Sequence, residues 1–258
     1  MSLNDDTDDR KYRAPALEKG LDVLELLASH GEPMTPSQMS GVLGRSVSEL
    51  FRMIQVLEFR GYIEQSPEGY RLTNRLFTLG MAQAPVKSLI DAALPVMREL
   101  ALTTVQSCHL VVLSDEQIVV IARVEGPGDL GFSVRVGYRR NVIDATSGLM
   151  FYGAASAVAK AQLRERLTAK FGAGRTQKFI KAADEAGAHG HVERASDFVK
   201  GVTDLVAPVI GADGVIATLI SPYIERTPPT CSIEEAVGHL RKAAAAISAE
   251  MSAVSQAS

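Results

Sequence analysis

The chain has 258 residues, 46% apolar and 22% charged, with 27 Lys/Arg against 30 Asp/Glu and a net charge of −3, the balance of a globular protein with room for one large domain or two ordinary ones. No run approaches the roughly 20 apolar residues of a membrane span, and the near-neutral charge excludes partners recruited by a global basic field. Two cysteines far apart, Cys108 and Cys231, lack metal-ligand spacing; they exclude a disulfide scaffold and read as reduced cytosolic thiols.

In chain order, residues 1–13, "MSLNDDTDDRKYR", are polar and acidic with no apolar signal segment, which predicts a disordered arm. Residues 15–30 place Leu17, Leu21, Leu24 and Leu27 on one side and Glu18, Asp22 and Glu25 opposite, an amphipathic helix stopped by Gly31. A short helix follows with Thr35 as N-cap, Pro36 at the first position and Gln38 as the capping-box partner; it ends at Gly44. The next helix starts at once, with Ser46 as cap and Glu49 as its S-x-x-E partner, and runs to Gly61. Its inward side is expected to be Leu50, Phe51, Met53, Ile54 and Leu57. "YIEQSPEGYRLT" is a hairpin around a Pro-Glu-Gly turn.

Three helices, the last two joined by about three residues, and then a hairpin describe a winged helix-turn-helix over 14–75. Such a third helix enters a major groove, which makes Arg45, Ser46, Ser48, Glu49, Arg52 and Gln55 candidate DNA contacts and Arg71 and Arg75 candidate backbone contacts. Residues 10–80 hold nine Lys/Arg against eight Asp/Glu, so binding must rely on arrangement and on more than one copy.

Residues 76–92 predict a linker helix, interrupted by Pro85. Beyond it, 108–126 reads as two apolar strands around Asp115-Glu116-Gln117, and "LGFSVRVG" (130–137) alternates like a half-buried strand. Helical stretches follow over 147–158, 161–171 and 176–188, then a hairpin over 202–224 turning at Asp213-Gly214, then an Ala-rich helix from Ile233 to about Val254. Hairpins with helices grouped between them imply an α+β domain on an antiparallel sheet over 93–258.

With "LEKGLDVLELLASHGEPMT…SVSELFRMIQVLEFRGYIE" in the first part and "IARVEGPGDLGFSVRVGYRR…DATSGLMFYGA" and "GVTDLVAPVIGADGVIATLIS" in the second, the chain resembles the IclR family of bacterial transcriptional regulators along nearly its whole length. The resemblance implies a winged helix-turn-helix joined by a linker helix to a GAF/PAS-like effector-binding domain. It also implies a homodimer or homotetramer on a palindromic double-stranded operator, and a small organic effector that changes operator affinity. Expected function is a repressor of a small-molecule catabolic operon, with no cofactor, no metal and no membrane partner.

The candidate effector-binding residues are His109, Phe132, Thr146, Ser147, Met150, Arg194, Asp204, Ser221 and Tyr223, of which the family pattern points to Thr146, Ser147, Arg194, Asp204, Ser221 and Tyr223. Asp204 stands where the family usually has Cys, Arg194 where it tends to have an acid, and Tyr223 where it has a second serine. Ser221 and the Thr146-Ser147-Gly148 helix entry keep the family type. A carboxylate on a strand, followed by Leu205 and Val206, needs a donor. Either Arg194 or another protein group supplies it, or the ligand brings N–H or O–H donors: an amide, a hydrazide, an amine or a hydroxylated ring.

An enzyme, or an interaction module without ligand, is the alternative for the second part. Cys108 and His109 are adjacent, so on a strand they face opposite sides. Ser147 lacks the G-x-S-x-G context, and "GPGDLG" lacks a following Lys-Ser/Thr. His189, His191 and Asp197 are a weak metal set on an expected loop.

Overall fold

The computed structural model describes residues 14–81, 84–128, 131–227 and 230–256, so the expected arm over 1–13 lies outside the described residues. The chain divides into two units, 1–83 and 84–258.

In the first unit, α1 (Pro15–His30), α2 (Pro36–Leu43) and α3 (Val47–Phe59) precede a hairpin of β1 (Ile63–Ser66) and β2 (Gly69–Leu72) and a short helix α4 (Arg75–Met81). Both capping boxes form. The Gln38 N–H donates to the Thr35 hydroxyl and the Thr35 N–H to the Gln38 side chain; Ser46 and Glu49 repeat the exchange at 3.3 and 3.1 Å. Each box satisfies two backbone donors that a helix start leaves orphaned. Gly44, with φ 64°, makes the left-handed turn between the two helices.

The core of this unit is Val23, Leu27, Met34, Met39, Leu50, Ile54 and Ile63. Two expected faces are rotated. Leu17 and Leu21 are 63% and 48% exposed, and α1 instead buries Gly20, Val23 and Leu27. Phe51, expected inside, is 49% exposed, because one helix side a little over 100° wide suffices to cover so small a core.

The second unit is built on a six-stranded antiparallel sheet in the order β5-β4-β3-β8-β7-β6. Its strands are β3 (Cys108–Ser114), β4 (Gln117–Val124), β5 (Arg139–Asn141), β6 (Val192–Ala195), β7 (Thr203–Gly211) and β8 (Gly214–Tyr223). Helices α5 (Ala84–Thr104) and α9 (Ile233–Gln256) cover one face, where Leu110, Leu205, Ala207, Val209, Ala217 and Leu219 pack. Helices α6 (Thr146–Gly153), α7 (Ala157–Phe171) and α8 (Ala173–His189) belong to the core on the other, with Val111, Ile118, Val120 and Val206. Helices α6 and α8 cross glycine on glycine: a Cβ on Gly187 would lie 2.4 Å from the Gly153 carbonyl oxygen.

The described residues of the interrupted linker helix expected over 76–92 lie in α4 and the start of α5, and α5 continues to Thr104. One further expectation needs correcting. The strand expected over 130–137 is absent across its described residues, 131–137, which form no strand; the strand in this region is β5. The alternation there has another cause. Val134 donates its N–H to the His109 side chain at 2.7 Å, and Phe132 and Val134 line a cavity against the sheet.

Candidate functional site

On α3 the buried residues Leu50 and Ile54 fix which side faces out. At 100° per residue, positions 48, 52, 55 and 59 form one stripe opposite them. Ser48, Arg52 and Gln55 are exposed there, as is Phe59, which sequence reasoning missed. Arg52 has no ion-pair partner among the described residues.

The other candidate DNA contacts are engaged within the unit. Arg45 pairs with Asp22 at 2.9 Å and Glu49 with Lys19 at 2.8 Å, so α1 grips the start of α3 at two points. Hydrogen bonds from Lys19 and Ser46 hold the Glu49 carboxyl down at about 2. Arg71 pairs with Glu64, its register partner across the hairpin, at 2.8 Å, and the Arg75 guanidinium stacks 5.3 Å over the Tyr62 ring.

In the second unit a cavity of ≈ 70 Å³ opens between the sheet and the start of α6. At the ~10–15 Å³ a water-sized sphere requires, it has the scale of a small organic molecule. Of the nine residues expected here, five line it: His109, Phe132, Thr146, Ser147 and Asp204. Apolar walls come from Val111, Ile118, Val120, Val134 and Ile220, and an aromatic side from Phe132, Tyr138 and Phe198. Phe198 stands 6.5 Å from Phe132 and 5.8 Å from Tyr138, with the Arg140 guanidinium 5.7 Å from its ring. The alternation of β4 signals Ile118 and Val120; no local pattern signals Phe198, on the irregular segment after β6.

The remaining four expected residues lie elsewhere. Asp204 pairs with Pro222 across β7 and β8, so its side of the sheet carries residues 220 and 222 while Ser221 and Tyr223 face the other way. There Ser221 donates to the Ser107 carbonyl at 3.0 Å and the Tyr223 hydroxyl to the Cys231 carbonyl at 2.7 Å. Met150 is in the core behind α6. Arg194 turns to Asp197, at 3.0 Å, and lines a neighbouring cleft with Arg140, Arg175 and Lys178.

Among the described residues, Asp204 is the only carboxyl on the cavity wall. It is 9% exposed and accepts a hydrogen bond from the Thr146 hydroxyl at 2.7 Å and another from Ser196. Burial pushes its pKa up from the ordinary carboxylate value, and the two hydroxyls offset that only in part. Thr146 and Ser147 hold their places because Gly148 lets α6 start against the preceding turn: a Cβ there would sit 1.9 Å from the Val142 carbonyl oxygen.

His109 is pushed down to about 4 by burial, aided by the neighbouring Arg123, and is neutral at pH 7. Its Nε2 accepts the Val134 N–H, which places the ring proton on Nδ1 and removes the acceptor a general base requires. Cys108, one residue earlier, faces the α5/α9 core, where burial drives its thiol up to about 12. The cavity is therefore a polar-tipped apolar pocket without an activated nucleophile.

Comparison with known proteins agrees with this architecture. Residues 16–67 match the IclR helix-turn-helix domain and residues 82–249 the bacterial transcriptional regulator IclR C-terminal domain. The HTH-type transcriptional regulator KdgR of Escherichia coli is 26% identical over 96% of this chain and 97% of its own. The glycerol operon regulatory protein of Streptomyces griseus is 26% identical over 92% and 96%. Among solved structures, an IclR homolog from Microbacterium hydrocarbonoxydans complexed with 4-hydroxybenzoate superposes with a TM-score of 0.74 at 22% identity, covering 94% of this chain and all of that one. Pseudomonas aeruginosa HmgR superposes with a TM-score of 0.71 at 22% identity, over 93% of this chain and all of its own. The chain belongs to the IclR family of DNA-binding transcriptional regulators.

Proposed function

We propose that the protein is a repressor of a catabolic operon, released or retained on its operator by a small molecule that binds the Asp204 cavity and donates an N–H or O–H to that carboxyl. The observation that carries this reading is one buried carboxyl on a largely apolar wall, held by two hydroxyl donors, with the Arg140 guanidinium of the same wall acting on it through its charge and not as an ion-pair partner. A ligand carboxylate would meet like charge there, whereas a phenol, amide or hydrazide supplies what Asp204 lacks. The Phe132, Tyr138 and Phe198 side suits a flat ring. Related proteins support the class: one is named for the glycerol operon, and another is complexed with a hydroxylated aromatic acid. Ser48, Arg52 and Gln55 contact the bases of a palindromic site in this reading, and a homodimer or homotetramer in the cytoplasm brings two copies of α3 to it.

A thermal-shift screen of hydroxylated aromatics, amides and hydrazides, each paired with an analogue lacking the donor, tests the site. Ligand at 100 times its Kd stabilises by about 2.7 kcal/mol, so donor-bearing compounds are expected to raise the Tm of the wild-type protein and not that of Asp204→Asn. Equal shifts in both proteins would overturn the assignment.

A further inference from the structure

We infer that α3 reads A·T base pairs, with Phe59 packing on the 5-methyl group of a thymine beside an adenine read by Gln55. This rests on α3 being the base-contacting helix and adds what it recognises.

The inventory of the outward stripe is short. Arg45 and Glu49 are committed to Asp22, Lys19 and the capping box, which leaves Ser48, Arg52, Gln55 and Phe59, with Val56 exposed along the stripe's edge. Each has a preferred partner in the major groove: Arg pairs with the O6 and N7 of guanine, Gln with the N6 and N7 of adenine, Ser with either base, and a phenyl ring only with the thymine methyl. Thus one side chain favours guanine, while one carboxamide favours adenine and one ring favours thymine, so that each of the latter two selects an A·T pair.

Phe59 is 88% exposed, the most of any large apolar residue described in this chain. It also lies eleven residues from Ser48, which brings it back to within about 20° of the same helix line. From Gln55 to Phe59 the helix rises about 6 Å, close to two base-pair steps at ~3.4 Å each. The ring therefore reaches a thymine one or two pairs from the adenine. Phe51, half-exposed beside the stripe, widens the apolar edge.

The probe is duplex DNA selected from a random library by the full-length protein, then remade with deoxyuridine at single thymine positions, which removes only the methyl group. Losing one such contact should weaken binding about fourfold per half-site, the worth of one buried methyl. Phe59→Ala should weaken binding to the thymine duplex by the same factor and have no further effect on the uracil duplex, while Phe59→Leu restores part of the loss. The inference is overturned if every uracil substitution is neutral, or if Phe59→Ala weakens both duplexes equally. It is also overturned if Phe59→Ala alters only self-association in sedimentation, which would make the ring a contact between copies of this chain. Arg52→Ala separates the two levels. If it weakens binding while uracil is neutral, only the A·T inference fails; if no sequence is enriched and Arg52→Ala changes nothing, the reading of α3 fails with it.

Discussion

His109 and Asp204 are both buried titratable groups on one cavity wall, and burial displaces them in opposite directions from their ordinary values. The folded protein keeps the His109 ring neutral down to about pH 4, whereas the unfolded chain protonates it near 6.5. Its contribution to stability is thus fully present above about 6.5 and is lost as the pH falls toward 4. Urea unfolding of the wild-type protein and His109→Gln at pH 7 and pH 4 measures that contribution. The wild type is expected to lose on the order of 3 kcal/mol more than the variant over this interval; parallel losses would show that the ring is solvated. Asp204 works in the opposite sense, since stability falls as the pH rises from its unfolded value through its raised folded one, but it is common to both proteins and cancels.

At this scale the sequence was legible for identity and less so for direction. Asp204 stands out in the chain as a carboxyl on an apolar strand, Thr146 follows from the family resemblance, His109 reads as a core or pocket residue, and the cavity brings the three together. The hairpin register, not residue type, decides which face Ser221 and Tyr223 take: with Asp204 opposite Pro222, the odd positions of β8 from Ala217 to Tyr223 point away. Arg194 sits directly across from Asp204 on β6, yet pairs with the nearer Asp197.

The elements were read most accurately where local chemistry is self-sufficient. A capping box uses four consecutive residues and needs no tertiary partner, so the starts of α2 and α3 were visible in the chain. Faces were harder, because α1 carries more leucines than its small core takes in, and which of them go inside depends on neighbours distant in sequence. The segment over 131–137 shows the same limit: its alternation comes from covering a cavity and not from pairing in a sheet.

The start of α3 is where element stability meets function. Ser46→Ala removes one half of its capping box, and such losses cost about 1 kcal/mol. Hydrogen exchange of the amides in the first turn of α3 should accelerate about fivefold, with amides of α8 unchanged as an internal control. Unaltered protection in α3 would mean that the pairs Lys19–Glu49 and Arg45–Asp22 hold the helix start without the cap.

For the whole molecule, charge is the constraint. On the proposed reading, a chain of net charge −3 whose α3 offers Arg52 without an ion-pair partner among the described residues binds DNA weakly as a single copy, so affinity would depend on two copies engaging together, and a ligand would need only to bias that arrangement. It does so by its difference in affinity between the states and by nothing else. The measurement that reaches this claim most directly is fluorescence anisotropy of a selected operator duplex, titrated with wild-type protein and with Asp204→Asn, each with and without the compound giving the largest thermal shift. The account predicts equal affinities without ligand, a 5- to 150-fold change on adding it to the wild type, in the range of typical coupling energies, and no change for Asp204→Asn. The same change in both proteins, or none in the wild type, would contradict it.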